Sequence, residues 1–364
     1  MNEQSIASVG KHSKQHFMIL DGLRGIAAIA VVIFHFMEIA VPDYNDSFIA
    51  HAYLAVDFFF CLSGFVIAYA YDQKIRTIGA LSFFKLRLIR LHPLVIIGSI
   101  IGLLMFAFDP FSNLYQKYLS QLPAMFVTSC LMIPYPQVHE RYFNLFHLNP
   151  PSWSLFWEYI ANICYGLFLF KVAHKTLWLL TLIAAAVLVY EAQRSGNLGV
   201  GWGGDNVTGG GIRVFFSFLA GILVYRSKWI INSRINFIGM GLLLLAVFLI
   251  PYSKEINPIV EPVIVILYFP FLIALGAGAH STASASEACK VSGELSYPLY
   301  MVHYPFIWLF MSYVEAKKPS GNEMLAVSTF GVLFLLAFAY AILVMVDIPV
   351  RQWLRKMNTP SKSL

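Results

Sequence analysis

The sequence predicts an all-α integral membrane protein, a bundle of about ten transmembrane helices with both termini in the cytoplasm. Three observations predict it. Hydrophobic residues make up 59% of the 364-residue chain and charged residues only 12%, about half the charged share of an ordinary soluble domain. The apolar residues come in continuous runs, not in the alternating segments of a spanning barrel, and roughly 20 such residues carry a helix across a bilayer. Hydrocarbon offers the backbone no water, so these runs must satisfy their own amides as helices. Lysine and arginine, finally, collect between alternate runs, as they do in cytoplasmic loops.

The expected spans are 17–37, 52–71, 93–109, 152–170, 176–191, 212–225, 236–251, 262–279, 295–314 and 324–346. A polar tail, 1–16, precedes the first, and Lys11 and Lys14 place it inside. With Asp21 and Arg24 within it, that first span is too long and too charged for a cleaved signal peptide. Loop 38–51 has no Lys or Arg and falls outside; Lys74, Arg76, Lys85, Arg87 and Arg90 then fall inside. Within that inner region, 81–92 (LSFFKLRLIRLH) mixes apolar and basic positions, as an interfacial helix does.

The apolar stretch 118–135 contains Gln121, Pro123 and Pro134. Were it a span, Lys171, Lys175, Arg226, Lys228 and Arg234 would all face outside. Leaving it out puts them inside, together with Arg351, Arg355 and Lys356 of a tail at 351–364. Residues 110–151 are therefore expected as a long extracytoplasmic loop, partly embedded or lying on the interface, within a membrane domain of 17–350. Lys117, Arg141, Arg194, Lys254, Lys317 and Lys318 remain as outside exceptions. Residues 199–211 (GVGWGGDNVTGGG) read as a flexible outer loop and lack the GK[ST] ending of a phosphate-binding loop. No internal repeat of the inverted-transporter kind is visible.

Cys61, Cys130, Cys164 and Cys289 are scattered without CxxC spacing, which argues against a disulfide scaffold or a thiolate metal site. The net charge of +6 sits largely at span ends. It reads as topology with the lipid bilayer as partner, not as a nucleic-acid footprint.

Ionisable groups inside spans are costly and usually face the bundle interior with work to do. In the first span, Arg24 and His35 lie eleven positions apart, about 20° around the axis and about 16 Å along it. They share a face, Arg24 near the inner end and His35 near the outer. A snorkelling Arg and a hydrogen-bonded structural His are the bland alternatives. Asp57 falls near the outer end of the second span; Ser63 and Gly64 deeper in it suit close helix packing. Glu158 lies about two turns into a span that starts at Pro150-Pro151. Trp153 and Trp157 beside it read as interfacial belt residues. His303, near mid-span, is either functional or a satisfied packing histidine. His35, Asp57 and Glu158 are thus expected at similar depth in the outer half, suited to acid–base chemistry. Arg24, Arg87 and Arg90 gather at the inner face, suited to gripping a phosphate.

These segments, in order, carry a family resemblance. The Arg24-x10-His35 pair, VDFFFCLSGF, RLIRLHP, PSWSLFWEY, SYPLYMVHYP and the final DIPVRQW resemble acyltransferase family 3 from about residue 17 to about residue 355. The resemblance implies a multi-pass, largely bacterial enzyme of the plasma (inner) membrane. Such enzymes move an acyl group, commonly acetyl, from cytoplasmic acyl-coenzyme A to a hydroxyl of a saccharide or lipid-linked glycan on the far side. Acceptors in the family include lipopolysaccharide O-antigen, exopolysaccharide, membrane glucans, peptidoglycan and some antibiotics. It implies Arg24 and His35 as the essential first-span pair and Arg87 and Arg90 as the basic pair of the first inner loop. Where the family usually carries a further basic residue, this chain reads His92 beside Pro93. Some members append a soluble hydrolase-like domain after the spans; this chain reads as the stand-alone type.

The chemistry expected is direct transfer. His35, as the neutral imidazole, takes the acceptor hydroxyl's proton while the oxygen attacks the thioester. Glu158, or in second place Asp57, orients the ring and stabilises the imidazolium. Thiolate leaves readily, so no metal is called for, and an acyl-histidine intermediate stays open. The alternative reading is a proton-coupled transporter using the same histidine and carboxylates as a relay.

Overall fold

The computed structural model describes residues 17–279 and 283–357. The described residues are mainly helical: α1 Met18–Ala40, α2 Ala55–Tyr71, α3 Ile75–Ala107, α4 Leu114–Lys117, α5 Leu122–Cys130, α6 Ser152–Leu167, α7 His174–Ser195 and α8 Val207–Arg226. There follow α9 Phe237–Phe248, α10 Asn257–Val263, α11 Phe269–Ala277, α12 Ala283–Val302, α13 Tyr304–Lys317, α14 Gly321–Ile342 and α15 Ile348–Met357. Single π turns, Ile264–Tyr268 and Leu343–Asp347, splice α10 to α11 and α14 to α15. Among the described residues the only β pairings are two isolated bridges.

Seven helical segments among the described residues are long and apolar enough to cross a membrane: Met18–Ala40, Ala50–Tyr71, Ile75–Ala107, His174–Ser195, Val207–Arg226, Asn257–Ala277 and Gly321–Met357. Each contains or overlaps an expected span. The other three expected spans are shorter or broken. Helix α6 has 16 residues and α9 has 12, and 295–314 is interrupted at His303, between α12 and α13. The tails at 1–16 and 358–364, with Lys11 and Lys14, lie outside the described residues.

Glycine brings the central helices together. A Cβ on Gly25 of α1 would lie 1.8 Å from Ser292 Oγ of α12, and one on Gly64 of α2 would lie 2.1 Å from the Phe218 carbonyl of α8. Only a missing side chain allows that approach, so the packing reading of Gly64 holds. Polar caps start the peripheral helices: Asn236 accepts from Gly239 N at 2.9 Å and Ser320 from Glu323 N.

Three expectations need correction. Residues 81–92 are not a separate interfacial helix. The chain bends at Gly79 (φ 75°) and then continues as one helix through Pro93, which removes one backbone hydrogen bond without breaking the run. The glycine-rich stretch 199–211 is not a free loop. Its end, 207–211, is the first turn of α8, and the rest is stitched down by Leu145 N to Trp202 O (2.9 Å), Gly204 N to Phe143 O (2.9 Å) and Asn206 Oδ1 accepting from Gly201 N and Gly203 N. Trp153 and Trp157 are not belt residues. Trp153 is buried, and Trp157 packs on Gly210 and Gly211.

The 118–135 stretch holds a single 3-10 turn, Leu119–Gln121, and the nine-residue α5, about 14 Å long, too short to span. Three charges that broke the loop bias are paired: Lys117 with Glu140, Arg194 with Glu191 at 2.7 Å and Arg141 with Asp109 at 3.5 Å. Arg141 is buried and lies 4.5 Å over the Trp308 ring, so it anchors 110–151 to α13 instead of marking a membrane side.

Candidate active site

Two cavities stack along the face of α1 that carries Arg24 and His35. The first, of about 210 Å³, opens among α1, α2, α3, α6 and α12 and is lined by Arg24, Arg87, Arg90, Ser63, Glu158 and Ser296, with aromatic and aliphatic walls. Arg24 is held by Asp21 (3.1 Å), the Gly293 carbonyl (3.1 Å) and Ser296 Oγ (3.0 Å). Arg87 donates to Glu158 Oε1 at 2.8 Å, and Ser63 Oγ donates to the same oxygen at 2.9 Å. Arg90 has no ion pair or hydrogen bond among the described residues. Three guanidiniums thus share one half-buried chamber: Asp21 pairs with Arg24 and Glu158 with Arg87, while Asp347, itself paired with Arg351, acts on Arg90 through its charge alone. The Arg90 guanidinium keeps its hydrogen-bonding capacity for an anion.

The second cavity, of about 450 Å³, lies toward the C-terminal end of α1, a size typical of ligand sites. His35 projects into it. Its Nδ1 lies 2.6 Å from Glu38 Oε1, one turn on along α1. An ionised carboxylate only accepts, so Nδ1 carries the proton and Nε2 keeps the lone pair. Tyr44 and Tyr304 hydroxyls each donate to Glu38 at 3.3 Å. Burial, with the Glu38 carboxylate beside it, raises the Tyr44 phenol, which keeps it a protonated donor. The His303 ring stacks on His35 with centroids 5.4 Å apart. Both oxygens near His303 Nδ1 are backbone carbonyls, Tyr300 at 2.8 Å and Leu299 at 3.1 Å, which fixes its proton there too. The remaining walls are rich in aromatics, among them Tyr53, Trp153, Trp202 and Trp308.

The structure therefore brings Arg24, Arg87 and Arg90 together, and puts His35 in the neighbouring chamber. It does not bring Glu158 or Asp57 to His35. Glu158 lies in the arginine chamber. The depth expected for it assumed that Pro150-Pro151 marks the membrane surface, yet residues 144–155 are buried without interruption, so α6 begins inside the bundle. Seven residues on from Pro151, about 10 Å of rise, carries Glu158 down to the arginines. Asp57 lines neither cavity. Fully buried, it pairs with Arg213 of α8, Nη2 to Oδ2 at 2.6 Å and Nε to both oxygens at 3.2 Å. Ser63, expected as packing, is a hydrogen-bond donor in the chamber. Glu38 went unread although it stands three residues after His35, the spacing at which helical side chains meet. Among the described residues no cluster of His, Cys, Asp and Glu could hold a metal ion.

Comparison with known proteins gives the same assignment. An acyltransferase domain family matches residues 19–346. Over 188 residues the chain is 34% identical to protein 2 in the picA locus of Rhizobium radiobacter, a match covering 49% of this chain and 95% of that one. Over 351 residues it is 26% identical to the O-acetyltransferase OatA of Staphylococcus aureus strain NCTC 8325, covering 85% of this chain and 53% of that protein. The chain thus spans about half the length of that relative. No solved structure matches significantly. The family match runs through every residue named above as lining either cavity, and the chain belongs to acyltransferase family 3.

Proposed function

We propose that this chain moves an acyl group, in the first instance acetyl, from acyl-coenzyme A to a hydroxyl of a saccharide or lipid-linked glycan across a bacterial inner membrane. The observation that carries the reading is Arg90, which among the described residues makes no hydrogen bond or close ion pair and has Asp347 as a charge neighbour, beside two further arginines in a chamber that shares lining residues with the His35 cavity. Coenzyme A phosphates occupy the arginine chamber, since guanidinium forks match phosphate oxygens two by two. Glu158 holds Arg87 in register there. The pantetheine arm runs along α1, over the roughly 16 Å between Arg24 and His35. The acceptor lies against Tyr53, Trp153, Trp202 and Trp308, whose rings suit the apolar faces of a sugar, with Asn144 and Asn197 for its hydroxyls. His35 Nε2 takes the hydroxyl proton as the oxygen attacks the thioester carbonyl. Glu38 orients the ring and stabilises the imidazolium.

Purified protein given radiolabelled acetyl-coenzyme A and membrane glycans tests this: labelled glycan is expected, and none means the proton-coupled transporter instead. Arg87→Ala and Arg90→Ala are expected to weaken coenzyme A binding by about tenfold or more each, with a smaller effect on rate at saturating donor. Unchanged affinity in both, by titration calorimetry, removes the donor site from this chamber.

We further propose ten spans, counting α6, α9 and the α12–α13 pair within the bundle, with tails 1–16 and 351–364 cytoplasmic and 110–151 outside. Pairing of Lys117, Arg141 and Arg194 removes three objections to that arrangement. An alkaline phosphatase fused after Asp46 is expected to be active, and one fused after Arg234 silent. The reverse of either overturns the topology.

A further inference from the structure

The two cavities share part of their wall, a septum between them. Among the described residues only Val56 and Tyr300 line both. Val56 is apolar, so Tyr300 is the one shared lining residue that carries a polar side-chain group. A donor thioester entering from the arginine side and a hydroxyl approaching His35 from the other side must meet there. The neighbourhood is continuous: the Tyr300 ring lies 5.8 Å from that of His303, which stacks on His35.

We propose that the Tyr300 hydroxyl is a catalytic donor that stabilises the oxyanion of the transfer step, with Ser154 as its positioning residue. Ser154 Oγ lies 2.8 Å from the Tyr300 hydroxyl and 3.0 Å from the Pro151 carbonyl. Serine has one proton for these two acceptors. While it points to Pro151, Tyr300 donates to Ser154. When it turns to Tyr300, the phenolic proton is released toward the septum. The Pro151 carbonyl loses little by this, since it also accepts from Ser154 N at 3.3 Å. The device is a donor that is occupied at rest and delivered when a carbonyl arrives.

The step balances as follows. The acceptor oxygen forms a bond to the thioester carbon, and its proton passes to His35 Nε2. The carbonyl oxygen gains the negative charge and receives the Tyr300 hydrogen bond without proton transfer. Collapse breaks the carbon–sulfur bond, and the coenzyme A thiolate leaves, to be protonated by His35 or by water. Donors placed where charge develops contribute to the transition state and not to ground-state binding.

The proposal rests on the donor and base assignments above, so His35→Ala is measured beside the new variants. Each is expressed as the full chain. Transfer of label from acetyl-coenzyme A into glycan is followed in membrane vesicles, and coenzyme A affinity is measured on purified protein. Tyr300→Phe keeps the ring and is expected to lower the rate at saturating donor by roughly 10²–10³-fold, with affinity within about twofold of wild type. Ser154→Ala is expected to lose about tenfold in rate, again without loss of affinity. Tyr300→Phe at wild-type rate beside a dead His35→Ala overturns the tyrosine role and leaves the base standing. An active His35→Ala overturns the base reading and this one with it. Should Tyr300→Phe fail to bind coenzyme A, Ser154→Ala decides, and a wild-type rate there overturns the proposal.

Discussion

Replacing His35 with alanine is expected to lower acyl transfer by roughly 10²–10⁴-fold while leaving coenzyme A affinity and thermal stability close to wild type. The asymmetry follows from the geometry. The His35 side chain is 20% exposed and lines the second cavity but not the arginine chamber, so its removal costs neither donor contacts nor a fully packed core. Its one hydrogen-bond partner, Glu38, keeps the Tyr44 and Tyr304 hydroxyls as donors when the ring is gone. His35→Gln is expected to fail as well, because an amide hydrogen-bonds but takes up no proton. The two carboxylates then separate the expected arrangement from the observed one. Glu38→Gln removes the acceptor that fixes the His35 tautomer, and its loss is expected in turnover at saturating donor. Glu158→Gln loosens Arg87, and its loss is expected in the donor's apparent affinity. Kinetics on these four variants, with Tm as the folding control, check the whole assignment. A folded His35→Ala protein working at the wild-type rate ends it, and the base would then be sought at His303.

How much of this was legible in the sequence depends on whether a feature is local. Spans, the Arg24–His35 face and the Arg87–Arg90 pair are set by helical periodicity and by the cost of charge in lipid, and the arginines do gather in one chamber. Side-chain pairing across helices is not periodic. Arg213 lies in an apolar run and gave no warning that it would claim Asp57, 156 positions away. Glu158 lies deeper than its sequence suggests because the Pro-Pro start of its helix reads as a membrane surface, whereas Asn149 and Ser152 around it are fully buried. Counting turns from a misplaced origin moves every residue on the helix. Glu38 is legible locally, since an acid three positions from a candidate base on a helix meets it on one face. Three of the basic residues that depart from the loop bias, Lys117, Arg141 and Arg194, are paired with acids, and neither Asp109 nor Glu140 announces its partner by sequence distance.

Asp57→Ala is expected to destabilise the fold by about 3–5 kcal/mol, a large share of the stability a protein of ordinary margin possesses. The Asp57 carboxylate is fully buried and takes three contacts from Arg213, itself 1% exposed. Removing the acid strands a buried guanidinium without its ion-pair partner, which costs far more than the pair contributes when intact. Arg213 also carries structure of its own, donating to the Val200 carbonyl at 2.9 Å and the Tyr53 carbonyl at 3.0 Å, and lying 5.4 Å over the Trp153 ring. It thereby ties the glycine-rich loop and the start of α2 to the wall of the His35 cavity. The double variant Asp57→Leu with Arg213→Met removes both charges and is expected to recover part of the loss, the remainder being the hydrogen bonds from Arg213 to the Val200 and Tyr53 carbonyls. Equilibrium unfolding in mixed detergent micelles, read by far-ultraviolet circular dichroism, gives the three stabilities. Asp57→Asn is the discriminating variant, because it keeps shape and loses charge. The buried-pair account expects it to unfold more easily and to retain turnover in the fraction that folds. A protein that keeps wild-type stability while losing transfer would return Asp57 to the catalytic machinery.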